Sequence, residues 1–210
     1  MWRRTDLHQL RQYDGDLTKG IVDSWWPMVN AGYWYEVCGY GTTGGTNNTT
    51  LTSGSEYAVP FVLGCNATLN GIAVYCITSA ASSTLRAGVR NDSGTAIPGS
   101  TVLYDGGTVA STTTGAKTWA PSLATVGGRI YWVTVTAQGG APAIYGSSIA
   151  MPLVASSTAG TPAQADFNTG NGGGYIASGA GQGALPGSYT VTGILAGTLK
   201  IMLKFTSVSR

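Results

Sequence analysis

Residues 84–110 decide the fold: Thr84-Leu85-Arg86-Ala87-Gly88-Val89-Arg90, then Asn91-Asp92-Ser93-Gly94, Pro98-Gly99, Thr101-Val102-Leu103-Tyr104, Asp105-Gly106-Gly107 and Thr108-Val109-Ala110. Residues 84–90 read as one strand. Asn91-Asp92-Ser93-Gly94 reads as a tight turn, because Asn, Asp and Gly tolerate the left-handed backbone that turns need. Pro98-Gly99 predicts a second turn. Residues 101–104 form a further strand, and Asp105-Gly106-Gly107 is expected to turn the chain again before 108–110. Residues 117–120 and 129–137 continue the pattern. Turn signals recurring roughly every 8–12 residues between β-branched and aromatic runs predict an all-β sandwich or closed barrel.

Working outward, residues 57–63 form a strand in which Pro60 points to an edge or a bulge. Residues 68–78 allow two readings. Asn70-Gly71 can close a hairpin that sets Cys65 opposite Cys76. Alternatively, the segment is one strand with a bulge at Gly71. The single strand is preferred, because Ile72, Val74 and Cys76 then share a face. Residues 33–40 have strand character, with Tyr33, Tyr35, Val37 and Gly39 on one face. Residues 41–55 are nearly all Gly, Thr, Asn and Ser, and read as a loop or flexible hairpin. Residues 155–183 are rich in Gly, Ala, Ser and Thr and read as a long loop. Residues 199–208 alternate Leu199, Ile201, Leu203 and Phe205 against Lys200, Met202, Lys204 and Thr206. They predict a strand with one buried face and lysines on the other, returning to the main sheet.

The composition suits such a body. The chain has 210 residues, enough for one sizeable core, with 43% hydrophobic residues, 10% charged residues and 32 glycines. The charged share is far below the usual ~25%. Net charge is +2 without a basic stripe, which argues against nucleic-acid partners. Met1-Trp2-Arg3-Arg4 is followed by polar residues, so a signal peptide is not expected. No apolar run is long enough for membrane insertion. Asn48-Thr49-Thr50 and Asn66-Ala67-Thr68 match a glycosylation pattern, which carries no weight without export. Cys38, Cys65 and Cys76 are odd in number and sparse, and read as buried free thiols.

Residues 1–30 differ from the rest and are read as an N-terminal arm, with 31–210 as the sandwich domain. The arm carries Arg3, Arg4, Asp6, Arg11, Asp14, Asp16, Lys19 and Asp23. Asp6 can cap a short helix over 7–13, with Gln9 in the capping-box position. Leu7, Leu10 and Tyr13 are its apolar contacts. Ile21, Val22, Trp25, Trp26 and Met28 follow. Either the arm packs on its own domain or it anchors the protein to a partner. On the second reading Trp2, Arg3, Arg4, Leu7, Leu10, Trp25 and Trp26 are the anchoring residues, since aromatics and Arg dominate interface energetics.

Little in the chain points to catalysis. His8, the single histidine, lies in the arm, so Ser/His/Asp and Cys/His sites are discounted. Zinc lacks a recognised ligand spacing. Asp14-Gly15-Asp16 lacks the remaining ligands of a calcium loop. Gly172-Gly173-Gly174 lacks the lysine and helix of a phosphate loop. A glycosidase pair would have to come from Glu36, Glu56, Asp92, Asp105 and Asp166. Asp92 and Asp105 sit in predicted turns, where aspartate serves backbone hydrogen bonding. No cofactor, no metal and no enzymatic activity is therefore expected. The aromatics are the remaining signal. Trp119, Tyr131, Trp132, Tyr145, Tyr175 and Tyr189 can stack on sugar rings where exposed. Trp119, Tyr145 and Tyr175 are the candidates for glycan or receptor contact. Tyr131 and Trp132 point to opposite faces of one strand.

The order of these pieces resembles a known family. Tyr57-Ala58-Val59-Pro60-Phe61, Thr68-Leu69-Asn70-Gly71-Ile72-Ala73-Val74, Arg86-Ala87-Gly88-Val89, Pro98-Gly99 and Asp105-Gly106-Gly107-Thr108-Val109 occur in the order shown by minor tail and tail-fibre proteins of long-tailed phages, notably those of actinobacteria. Thr114-Gly115-Ala116-Lys117, Arg129-Ile130-Tyr131-Trp132-Val133, Gly139-Gly140-Ala141-Pro142, Ala184-Leu185-Pro186 and Lys200-Ile201-Met202-Leu203 continue the likeness. It spans about residues 33–206. The resemblance implies a jelly-roll-like antiparallel β-sandwich on the virion, often at the tail end, without catalysis. The expectation that follows is a structural virion protein, a minor tail or fibre-tip component involved in host attachment. Its partners would be other virion proteins, further copies of itself in a homo-oligomer such as a trimer, and host cell-surface glycan. A capsid decoration or head-fibre protein is the first alternative. A carbohydrate-binding module or glycan hydrolase is the second.

Overall fold

The computed structural model describes residues 29–37, 47–147, 171–179 and 181–209. Its strands, in chain order, are β1 (Trp34–Glu36), β2 (Asn47–Thr50), β3 (Ser55–Val62), β4 (Asn66–Thr78), β5 (Thr84–Asp92), β6 (Pro98–Ala110) and β7 (Gly115–Trp119). They continue with β8 (Leu123–Thr125), β9 (Ile130–Gln138), β10 (Ala143–Ser147), β11 (Asn171–Ser178), β12 (Gly193–Ala196), β13 (Thr198–Leu199) and β14 (Met202–Ser209). No helix occurs among the described residues. The strands form two antiparallel sheets packed as a β-sandwich. A six-stranded sheet runs β12-β11-β3-β9-β5-β6. An eight-stranded sheet runs β1-β14-β4-β10-β13, with β7 and β8 also paired to β4 and β2 to β10.

Period-two alternation builds the core between the sheets. In the six-stranded sheet, Tyr57, Val59 and Phe61 of β3 pair with Val135, Val133 and Tyr131 of β9. Val133 and Val135 pair in turn with Val89 and Ala87 of β5. Leu69, Ile72, Val74, Leu203 and Phe205 belong to the same buried cluster from the other sheet. The rings of Phe61 and Tyr131 stack at 5.5 Å. Residues 68–78 are indeed one strand, and the register against β14 shifts between Leu69 and Gly71, beside the predicted bulge. Cys65 and Cys76 are buried free thiols, and burial pushes the Cys76 thiol up despite the charge of Lys117. Cys38 lies outside the described residues.

Several sequence expectations change. Pro98-Gly99 is not a turn. Pro98 opens β6 opposite Asp92, and the reversal lies at 93–97, where Ser93 N–H donates to the Ile97 carbonyl at 2.9 Å. Asp105-Gly106-Gly107 is a bulge inside a single 13-residue strand. Arg86 pairs with Thr108 and Gly88 with Asp105, so β6 holds one extra residue there. Gly107 has φ +68°, and a Cβ on Gly106 would come within 2.6 Å of the Trp119 indole, so the site demands glycine.

Asn47–Thr50, within the stretch expected as a loop or flexible hairpin, is a strand that pairs with β10. The glycine run at 172–174 lies in β11, and a Cβ on Gly174 would collide with the Ala58 carbonyl. The strand expected over 199–208 breaks at Lys200-Ile201, because its first part pairs with β10 and its second with β4. Pro60 sits in an interior strand, beyond the last pairing of β3 with β11 at Ala58–Tyr175. The arm and its helix fall outside the described residues except at its end. There Val29 is buried in the core, and Asn30 N–H donates to Tyr35 Oη at 2.7 Å.

Candidate functional site

The two sheets turn very different outer faces away from the core. On the six-stranded sheet the even-numbered side chains point outward: Glu56 of β3, Trp132, Thr134, Thr136 and Gln138 of β9, and Arg86, Gly88 and Arg90 of β5. Glu56, Arg90, Trp132, Thr134 and Thr136 are nevertheless fully buried. A strap formed by residues 182–189, in the connection between β11 and β12, contributes to their burial. Its Leu185 side chain rests on Gly88, where any Cβ would collide with it. Leu185 N–H donates to Asp105 Oδ2 at 3.0 Å, Gln138 Nε2 to the Gly183 carbonyl at 2.8 Å, and Gln182 Nε2 to Ser53 Oγ at 3.1 Å.

At the centre of that face Arg90 and Glu56 form a bidentate pair, with Nε–Oε1 at 2.7 Å and Nη2–Oε2 at 2.9 Å. Arg90 also donates to the carbonyls of Ser100 and Pro186. The guanidinium lies 5.3 Å from the Tyr189 ring centroid, and Tyr189 Oη donates to the Tyr175 and Glu56 carbonyls. Burial, then the Glu56 charge, push the Tyr189 phenol far up, against the charge of Arg90. A second pair joins Arg86 Nε to Asp105 Oδ1 at 2.6 Å. Burial would raise the Asp105 carboxyl. The Arg86 hydrogen bond, the Leu185 and Gly107 N–H groups and the Arg86 charge outweigh it and hold the carboxyl low. Thr134 Oγ1 and Thr136 Oγ1 find no partner among the described residues.

This arrangement assigns structural work to three of the five carboxylates weighed as glycosidase candidates. Glu56 is locked to Arg90. Asp92 accepts the Gly94 N–H and the Trp132 indole N–H, and Asp105 holds the strap. Among the described residues Glu36 makes only a 3.7 Å contact with Lys200 at the surface. Asp166 and His8 lie outside the described residues. No cluster of three or more His, Cys, Asp or Glu that could hold a metal ion occurs among the described residues.

Among the described residues no segment covers the outer face of the eight-stranded sheet as the strap covers the other. Trp34 of β1 pairs with Lys204 of β14, which pairs with Gly71 of β4. The next row along is Glu36, Met202, Ala73 and Thr118, and beyond it Tyr75 pairs with Ala116. Trp34, Met202 and Tyr75 are 39%, 42% and 47% exposed, a large apolar share for a solvent face. The rings are braced. Tyr75 packs on Tyr145 at 5.4 Å, and Lys204 Nζ lies 5.9 Å from the Trp34 ring centroid. The Trp34 ring occupies the space that a Cβ on Gly71 would need, at 2.6 Å.

Of the three aromatics expected to meet a ligand, only Tyr145 reaches this face. Trp119 is buried between the sheets, its indole N–H donating to the Gly107 carbonyl at 3.1 Å. Tyr175 is buried against Trp132. Neither presents a ring face to a ligand. Tyr131 and Trp132 are both buried. The anchoring candidates Trp2, Arg3, Arg4, Leu7, Leu10, Trp25 and Trp26 lie outside the described residues. Sequence reasoning missed Trp34 and Tyr75. The alternation that buries Val74 and Cys76 turns Tyr75 outward and was enough to find it. Comparison of the chain with protein-family models, curated proteins and solved structures gives no match.

Proposed function

We propose that this protein is a structural component of a tailed-phage virion, a minor tail or fibre-tip protein that meets the host surface. The outer face of its eight-stranded sheet is the contact surface. The observation that carries the reading is that face, where exposed rings are held in place by their neighbours on a rigid sandwich. Bracing lowers the entropy lost on binding. The resemblance of the motif order to that of phage minor tail proteins supports the virion setting. The structural commitments of Glu56, Asp92 and Asp105 support a binding rather than a hydrolytic role. Assembly as a cyclic homo-oligomer, such as a trimer, suits a tail tip.

Gold-labelled antibody on intact particles from the source of the gene tests the setting. Label at the tail end is the expected result. Label over the head would make this a decoration protein. Unlabelled particles, or turnover of host-surface glycan by the purified protein, would overturn the proposal.

A further inference from the structure

We infer that the strap is exchanged between copies of this chain, the strap of one copy lying on the six-stranded sheet of the next. The inference rests on the reading of the protein as a cyclic homo-oligomer and names the segment that joins its subunits. The sheet holds residues 182–189 as it would hold a separate peptide. Gln138 donates to the Gly183 carbonyl, Asp105 accepts the Leu185 N–H and Arg90 donates to the Pro186 carbonyl, so the strap is gripped mostly through its backbone. Leu185 alone of its side chains is buried, in the socket left by Gly88. The approach to the strap is loosely packed. Gly179 and Gly181 have φ +84° and +70°, and a Cβ on either would meet nothing within 4 Å. The chain can change course there without losing packing.

The face beneath selects the occupant. With the strap lifted, Arg90 loses the Pro186 carbonyl and the Tyr189 ring, and Asp105 loses the Leu185 N–H. A foreign peptide would have to bring both a side chain for the Gly88 socket and a ring beside Arg90. The strap of a second copy brings both, in the same register, and restores each of these contacts. Exchange therefore leaves the sealed face as it is and ties one copy to the next. Passed in one direction round a ring, it is a head-to-tail contact that closes, as a trimer requires.

The test uses the full chain carrying Cys38→Ser, which leaves the buried Cys65 and Cys76 as its remaining thiols. Ser53 and Gln182 are exposed and joined by a 3.1 Å hydrogen bond, so Ser53→Cys and Gln182→Cys report on which sheet a strap lies. Chains carrying one or the other substitution are mixed, unfolded in urea, refolded together and oxidised. A disulfide between positions 53 and 182, mapped by mass spectrometry, is expected to join the two kinds of chain. In the doubly substituted chain the same bond is expected to link copies into covalent dimers and larger species. Sedimentation of the unoxidised protein is expected to show an oligomer. An oligomer in which the double variant closes the bond only within single chains overturns the inference and leaves the assembly reading standing. A chain that sediments as a monomer overturns both.

Discussion

The outer faces of the two sheets are built from the same alternation and end in opposite states. On the six-stranded sheet the outward residues are charged and polar, yet they are sealed beneath a strap and bound to one another. On the eight-stranded sheet the outward residues include Trp34, Met202 and Tyr75, yet they stand in solvent. Composition alone would assign the burial the other way round. The difference teaches that a polar face can be buried when a covering segment satisfies its donors, and that a face rich in aromatics is not buried by its composition alone.

If the sealed face is structural, breaking its ion pair should have the largest effect. Glu56→Ala leaves Arg90 charged and unpaired in the interior, and should cost about 3–5 kcal/mol in urea denaturation. The double change Glu56→Leu with Arg90→Met should cost less than Glu56→Ala alone, because no charge is stranded. Gly88→Ala should cost about 1–3 kcal/mol, since the new methyl meets Leu185 and lies 2.7 Å from the Tyr104 carbonyl. Hydrogen exchange at the Leu185 amide should speed up in that variant. A slow amide there would show that the strap is not seated by the Gly88 socket.

Asp105→Asn should lose about 1–2 kcal/mol at neutral pH. Its carboxyl is held low in the folded state, so its contribution is complete above the unfolded value of about 3.9 and is lost as pH falls through the folded value. The gap between wild type and variant should therefore be flat from neutral pH to about 5 and close on further acidification. A gap that widens in acid would contradict the assignment. Thr134→Val removes a buried hydroxyl with no partner and should be neutral or stabilising by up to about 1 kcal/mol. On the open face, Tyr75→Ala should change stability by about 0.5 kcal/mol or less.

The strands that carry the core were legible because alternation is a local signal. Val133, Val135, Leu203 and Phe205 announce their buried face in five or six residues. The polar partners of that alternation carry no local sign of their burial. Thr134 and Thr136 lie under a strap far off in sequence, Gln138 of the same strand reaching Gly183 across 45 positions. The strap itself leaves little trace, because it is held mostly through backbone carbonyls and one leucine. Arg90 and Glu56, separated by 34 positions, gave no local signal. A hint lay in Arg86 and Arg90 sharing one strand face in a chain with only 10% charged residues. Asp105-Gly106-Gly107 read as a turn because turns and bulges draw on the same residues, and only the partner strand distinguishes them.

The central claim is the division of labour between the two faces. Its most direct measurement is binding of labelled full-length protein to intact host cells, with thermal denaturation of the same samples, for wild type and the Trp34→Ala/Tyr75→Ala double variant. The account predicts an unchanged melting curve and lost cell binding. A double variant that binds cells like wild type, or that unfolds with the loss of those two exposed rings, would contradict it.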